Sequence, residues 1–429
     1  MKIQKIIFSF LGFILVLFFV ALTAQADEGP KYTVVPITPS VEIDGSNFFP
    51  NLKDLNNEGQ VLSTLGSSSQ SSFLWQEGTE DQVLENIING VRINDLGVII
   101  SYTWSLFPPI AQVWTPSEFG YVPETLFIAD SLEPILYSIN NLSEVVGRLK
   151  YLGIGDFPVL WTPPYDGEPI FLPTIYDSNH PKDINDAGHI VGVGRDSNYD
   201  YHAIRWDNDL NPRLLPKLPI DTESDAIAIN ENGMVVGKSC YTCNGNCTQC
   251  QAVRWDSNDV VYNLPEPIPH HPDVSMDTSE SIDINDQGQI LIKQRFDCDG
   301  GFENDSSPAL FDGKNTYLLE RTTNPGSGYQ IWWAYGINNQ GEVLAAASHP
   351  SYSGIRPVLL KPVEELCEGD LNMDGMVNTQ DLLILLSRWG ANCTGNFLKC
   401  RPCYGDITGD LQVGISDYLN LMGNWGSCN

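Results

Sequence analysis

The apolar positions of this chain fall into one repeated phrase. Between residues 50 and 361, Ile-Asn-x-x-Gly-x-apolar-apolar-small is followed by a loop and then by apolar-x-Trp, in seven copies. The Asn positions are Asn56, Asn94, Asn140, Asn185, Asn230, Asn285 and Asn338. Three residues after each stand Gly59, Gly97, Ser143, Gly188, Gly233, Gly288 and Gly341. Four further on come Ser63, Ser101, Gly147, Gly192, Gly237, Ile292 and Ala345, and the closing large residues are Trp75, Trp114, Trp161, Trp206, Trp255, Phe311 and Leu360. Asn-x-x-Gly between apolar runs predicts a hairpin: the Asn side chain bonds forward to the turn backbone, and Gly supplies the positive φ. Val145-Val146, Ile190-Val191 and Val235-Val236 are β-branched pairs suited to buried strands. Ala203-Ile204-Arg205-Trp206 and Ala252-Val253-Arg254-Trp255 alternate at the period of a strand. The small residue after each apolar pair predicts close backbone approach near a crowded axis, and Leu214-Leu215 and Leu264-Pro265 are candidate outer strands.

The spacing is mostly near 45 residues, widening to 55 before Asn285 and 53 after it. That period suits propeller blades of up to four strands. The strand-like Tyr32–Pro36 is placed to pair beside Pro357–Leu360, joining first and last blades and removing exposed edges. The expected fold is mainly β: a seven-bladed β-propeller-like domain over residues 27–363, followed by a small α-helical module over residues 364–429. The alternatives are an open β-solenoid or two smaller sheet domains. The stretch Asp183-Ile184-Asn185-Asp186-Ala187-Gly188-His189-Ile190-Val191-Gly192, with His202-Ala203-Ile204-Arg205-Trp206 after it, resembles the bacterial extracellular HAF repeat. That resemblance implies an exported propeller-like domain and carries no established activity.

The front of the chain bears on compartment. Lys2 and Lys5 precede an apolar run from Ile6 to Val20, and Ala24-Gln25-Ala26 supplies small residues for cleavage. Residues 1–26 are therefore expected to be a secretory signal peptide. The alternative, an uncleaved anchor, is disfavoured because the run is shorter than the roughly 20 residues a spanning helix needs. No membrane span is expected after cleavage, and the protein is expected to be secreted or at the cell surface. Lys+Arg 23 against Asp+Glu 54 gives a net charge of -31, which argues against nucleic acid and favours divalent cations. Only 18% of residues are charged and aromatics are plentiful, so this is a folded chain and not an acidic disordered tail.

From Asp370 the pattern changes. Asp370, Asn372, Asp374, Asn378 and Asp381 occupy positions 1, 3, 5, 9 and 12 of an EF-hand-like loop, with Gly375 at position 6 and the Met376 carbonyl at position 7. Leu382, Leu383, Leu385, Leu386 and Trp389 follow as an apolar helix ending at Gly390. A second copy begins 36 residues on, with Asp406, Thr408, Asp410, Gln412 and Asp417 at positions 1, 3, 5, 7 and 12 and Gly426 matching Gly390. There Leu411 replaces the position-6 Gly and Gly414 stands at position 9, so two calcium sites are expected, the second weaker. The duplicated loop–helix with terminal Asp resembles a type I dockerin. That resemblance implies a cohesin or other cell-surface partner, contacted through positions 10 and 11, here Thr379-Gln380 and Ile415-Ser416. The two pairs are not equivalent, and Leu386-Ser387 and Met422-Gly423 stand where basic residues are common in the family.

Ten Cys in an exported chain predict disulfides: Cys240, Cys243, Cys247, Cys250, Cys298, Cys367, Cys393, Cys400, Cys403 and Cys428. Cys240-x-x-Cys243-x3-Cys247-x-x-Cys250 is also a candidate zinc set, but its tight central gap and the oxidising compartment favour two local disulfides. Cys367 and Cys403 precede the loops while Cys393 and Cys428 follow the helices, a placement that would staple a very small domain. Asp297, Asp299, Glu303 and Asp305 crowd one loop, read as solvated with calcium as the alternative. Trp104, Trp332 and Trp333 are candidates for sugar stacking, with core packing preferred. Neither HExxH nor GxSxG occurs. The expected function is a non-catalytic binding or scaffold protein tethered through the calcium module; the alternative is a polysaccharide-degrading hydrolase or lyase carrying it, with polysaccharide as ligand or substrate.

Overall fold

The computed structural model describes residues 30–37, 51–64, 71–103, 109–128, 132–151, 155–243, 247–266, 275–297, 306–323, 327–351, 354–363, 368–372, 375–391, 405–408 and 412–427. The expected signal peptide, Trp104, Asp299, Glu303, Asp305, Asp374, Asp410, Leu411, Cys298, Cys367, Cys393, Cys400, Cys403 and Cys428 lie outside these residues. The described residues from Lys31 onward belong to one of two units into which the chain divides, the second, Lys31–Asn429.

The second unit carries seven four-stranded antiparallel sheets, one per repeat. In blade 4 the order from the axis outward is Ser178–Ile184, Ile190–Arg195, Tyr201–Trp206 and Pro212–Leu214. The inner strand ends one residue before the repeat Asn, the turn takes the Asn and Gly, and the apolar pair opens the next strand. Its first residue faces the closing large residue in all seven blades, from Val61 opposite Trp75 to Val343 opposite Leu360. The outer strand of blade 5 is Val261–Asn263; Leu215 and Leu264 lie just beyond their outer strands and are buried.

Blade 7 is completed from the other end of the chain. Lys31–Pro36 pairs with Ile355–Val363, setting Val34 against Leu360 and Pro36 against Val358. That pairing gives the last blade its fourth strand and covers the edge it would otherwise expose. Between neighbouring blades the apolar faces meet in separate cores. Val146, Leu160 and Leu172 of blade 3 pack on Ile184, Ile190 and Trp206 of blade 4, and Leu344 and Leu359 of blade 7 pack on Leu52, Val61 and Phe73 of blade 1. The closing Trp also ties backward: Trp161, Trp206 and Trp255 donate Nε1–H to the carbonyls of Phe127, Pro173 and Pro216 in the preceding connection.

The small residue of each repeat has a different cause from the one expected. Every inner strand carries a β-bulge three residues before the repeat Asn, at Lys53, Val91, Tyr137, Lys182, Ile227, Ile282 and Tyr335. The small residue lies opposite that bulge. A Cβ on Gly147, Gly192 or Gly237 would collide with the backbone carbonyl oxygen of Ile135, His180 or Asp225. The crowding is thus between paired strands, and the bulge re-aims the following side chain toward the axis.

In the tail, helix α1 (Thr379–Ser387) and helix α2 (Ile415–Gly423) pack around Leu371, Val377, Leu385, Ile407, Val413 and Leu421. The two copies exchange contacts. Val377, position 8 of the first loop, pairs with Gly426 after α2, while Val413, position 8 of the second, bonds to Gly390 and Ala391 after α1. Gly390 and Gly426 both adopt positive φ, but the helices end sooner than expected, with Arg388 and Asn424 as their caps, so each glycine stands two residues beyond the cap.

Candidate functional site

Two places gather polar side chains: the propeller axis and the loop pair of the tail. At the axis each repeat Asn does more than form its turn. Its Oδ1 accepts from the backbone four residues on, as in Gln60 N–H to Asn56 and His189 N–H to Asn185. Its Nδ2 donates to the backbone carbonyl of the next repeat's Asn. The bonds run Asn56 to Asn94, Asn140, Asn185, Asn230, Asn285 and Asn338, and Asn338 closes the circle on Asn56, at 2.9–3.2 Å. All seven Asn are buried, none more than 5% exposed. The residue after each Asn makes a second closed ring. The backbone N–H of Asn57, Asp95, Asn141, Asp186, Glu231, Asp286 and Asn339 donates to the side-chain oxygen of the next member, and Asn339 returns to Asn57. Sequence reasoning assigned the Asn to turns and missed both rings.

These rings frame a chamber of about 440 Å³ on the axis. One further residue per blade follows the bulge, namely Asp54, Arg92, Ser138, Asp183, Ala228, Asp283 and Gly336, and the first six line the chamber. The three carboxylates each clasp the next blade, and Asp183 also holds the preceding one. Asp54 accepts from Ile93 N–H at 2.9 Å, Asp183 from Ser138 Oγ at 2.7 Å and Ile229 N–H at 2.9 Å, and Asp283 from Ile337 N–H at 2.8 Å. Burial disfavours their charged forms. It pushes Asp54 up to about 6 against the pull of Arg92, raises Asp183, and pushes Asp283 up to about 7 with the other two carboxylates adding to the effect. Lys182 also lines the chamber, but its Nζ is 2.6 Å from Asp225.

In the tail, Asp381 and Asp417 are fully buried, and Asp370 and Asp406 are 3% exposed. Asp381 accepts from the N–H groups of Leu371, Asn372 and Asn378, while Asp417 accepts from the N–H and Oγ–H of Thr408 and the N–H of Gly414. The two position-12 carboxylates thus hold the same places in both loops. Gly375 adopts φ +83 and donates to Asp370 Oδ2 at 3.0 Å, so the first loop turns at this glycine. Asn378 caps α1 by accepting from Gln380 N–H. Met376 and Gln412 are exposed. Among the described residues no three His, Cys, Asp or Glu side chains converge as a metal cluster; both position-5 residues lie outside them.

Thr379, Gln380 and Ile415 are exposed at the helix starts and Ser416 is half-buried. The apolar helices expected from sequence bury only Leu385 and Leu421 fully. Leu383, Leu386 and Trp389 on α1 and its C-terminal turn, and Leu419, Met422 and Trp425 at the matching places of α2, are 41–63% exposed. Elsewhere, Cys240 and Cys250 form a disulfide across the blade 5 hairpin, which takes two thiols from the alternative zinc set; Cys243 and Cys247 face each other in strand register. Trp332 donates to Ser348 Oγ, whereas Trp333, expected in a core, is 42% exposed.

No family model and no curated protein matches the chain. Among solved structures, the β-propeller domain of the Trilobed protease from Pyrococcus furiosus is similar at 12% identity, over 74% of this chain and 98% of that one, with a TM-score of 0.46. An acylaminoacyl peptidase from Pyrococcus horikoshii has 12% identity over 74% of this chain and 51% of its own, TM-score 0.48, and a streptogramin B lyase 13% over 77% and 97%, TM-score 0.40. These likenesses carry no argument about activity; the propeller rests on the seven sheets themselves.

Proposed function

We propose that this chain is an exported, non-catalytic binding or scaffold protein. In this reading a propeller presents the binding surfaces, and a calcium-dependent, dockerin-like tail fixes the chain to a partner. The observation that carries the reading is the pair Asp381 and Asp417. Each is a fully buried carboxylate at position 12 of its loop, and its hydrogen-bond partners are backbone amides and a hydroxyl, all neutral. Burying ionised carboxylates is costly unless positive charge joins them. A hard cation among Asp370, Asn372, Asp374, the Met376 carbonyl, Asn378 and Asp381 supplies that charge with oxygen ligands. The second loop offers less, since Gly414 has no side-chain oxygen at position 9. The exposed triplets Leu383–Leu386–Trp389 and Leu419–Met422–Trp425 give the partner two matching apolar contacts.

Calorimetric titration of residues 27–429 with calcium tests the first half. Two binding events of unequal affinity are expected, the stronger one lost in Asp381→Ala. A chain that binds no calcium overturns the reading. Capture of a cell-surface protein by the same chain, released by chelator and by Leu383→Asp with Leu419→Asp, tests the second half; capture that survives chelation assigns the contact to the propeller.

A further inference from the structure

We propose that the axial chamber is a binding site for a small molecule carrying a protonated primary amine, received at Asp283. The inference goes beyond the calcium reading of the tail and stands without it. At about 440 Å³ the chamber lies within the range of roughly 300–1,000 Å³ typical of small-molecule sites.

Its lining is uneven in a way that singles out one carboxylate. The residues that follow the bulges on the two blades flanking Asp283 are Ala228 and Gly336, and neither has a polar side chain to bond it. Asp283 Oδ2 lies 3.4 Å from where a Gly336 Cβ would stand, leaving an open cradle beside the carboxylate. On the other side of the chamber Asp54 has the Arg92 guanidinium beside it, and Asp183 is held by the Ser138 hydroxyl. Lys182, the other cation of the lining, is turned to Asp225. The groups facing Asp283 are therefore Asp54, Asp183 and Arg92, with Tyr335 beside it on the bulge of blade 7. Asp95, Asp186, Glu231 and Asp286 also line the chamber and add negative potential.

Three carboxylates against one guanidinium leave a negative chamber, and a low-dielectric wall strengthens its pull on a cation. Among the described residues the acids do not converge tightly enough for a metal ion. An ammonium group, larger and bonded through three N–H donors, suits a lone carboxylate with space at its side. The same group would restore the charged form of Asp283, which burial raises to about 7 in the free chain. Amine binding near pH 6.5 should thus release a proton.

The test is calorimetry on residues 27–429 with glucosamine and 1,5-diaminopentane as probes and glucose as the neutral counterpart. Saturable 1:1 binding of the amines and none of glucose is expected. Repeating the titration in two buffers of different ionisation heat should register proton release. Asp283→Asn should weaken amine binding at least 10-fold and abolish the release. Gly336→Lys keeps Asp283 and its backbone bonds, places a cation of the chain's own in the cradle, and should weaken amine binding as strongly with its melting transition intact. Absence of saturable amine binding, equal binding of glucose, or unchanged affinity in a folded Gly336→Lys variant overturns the proposal.

Discussion

The ring of Asn side chains makes a quantitative claim about what holds seven blades in a circle. Asn185 is 2% exposed and makes two bonds: Nδ2 to the Asn230 carbonyl at 3.0 Å, across blades, and Oδ1 from His189 N–H at 2.9 Å, within the turn. Replacing it by Ala removes both. The Asn230 carbonyl keeps Gly233 N–H, but His189 N–H loses the acceptor it had. The cross-blade bond is worth about 1 kcal/mol and the stranded donor about 1–3, so Asn185→Ala should cost about 2–4 kcal/mol. Asp256 separates the two terms, because it makes the same turn bonds, to Asn258 and Val260, with no cross-blade bond to a repeat carbonyl. Asn185→Asp separates them again, since it keeps the turn acceptor and sets a carboxylate oxygen against the Asn230 carbonyl. Burial and that carbonyl raise the new carboxyl's folded pKa above its unfolded value near 4. A raised folded pKa gives stability below the unfolded value that is lost as pH rises through the folded one. Asn185→Asp should therefore be more damaging at pH 7 than at pH 4. The assay is urea unfolding followed by tryptophan fluorescence, with the midpoint shift multiplied by the slope. A loss no larger for Asn185→Ala than for Asp256→Ala would refute the claim that the ring stabilises the circle.

Further outcomes follow from the same geometry. Gly192→Ala drives a Cβ into the His180 carbonyl across the bulge and should cost about 1–3 kcal/mol by the same unfolding assay, whereas Gly288→Ala meets no neighbour and is strained only by its φ of +78. Asp54 and Asp283 have folded pKa values raised to about 6 and about 7, so the folded chain holds protons that the unfolded chain has released. Their contribution is full below about pH 4 and is lost as pH climbs toward 7, and a stability–pH profile should show that falling limb flatten in Asp283→Asn. Deleting residues 27–36 strips the fourth strand from blade 7 and bares Ile355–Val363, so size-exclusion chromatography should show association that the intact chain lacks.

Much of this was legible in the sequence because a repeat multiplies its own signal. The turn Asn, the positive-φ Gly and the closing Trp recur seven times, and Ser143 takes φ +61 where the repeat departs from Gly. The pairing of Tyr32–Pro36 with the last blade could be read from the same pattern. The rings could not: the partner of each Asn side chain is a backbone carbonyl 38–55 residues away, or 282 for the closing Asn338, and a carbonyl has no letter in the sequence. The bulges were hidden too, since they break the alternation identically in every copy and so pass for part of the pattern. In the tail the duplicated loop–helix pattern was plain, and two short helices follow the two loops. The helices misled, because nine residues wound round a six-residue core leave most of their Leu and Trp outside.

The rings also account for why the blades can differ. Each Asn donates forward only, from one repeat to the next, so the bond requires nothing of the outer strands and nothing of the loop lengths. Blade 5 ties its two middle strands with the Cys240–Cys250 disulfide, and blade 2 begins from a four-residue inner strand, yet both supply the same donor and the same carbonyl at the axis. A chain built this way closes when the last donor finds the first carbonyl, which Asn338 does at Asn56 over a separation of 282 residues. Closure is thus fixed at the axis by side-chain donors and at the rim by Lys31–Pro36, two devices using different residues. The chamber residues add cross-blade bonds of their own at Asp54, Arg92, Ser138, Asp183 and Asp283, but not one repeated bond. Arg92, Ser138, Ala228 and Gly336 stand where a structural ring would repeat one residue, and their variety is what gives the chamber a direction and a chemistry.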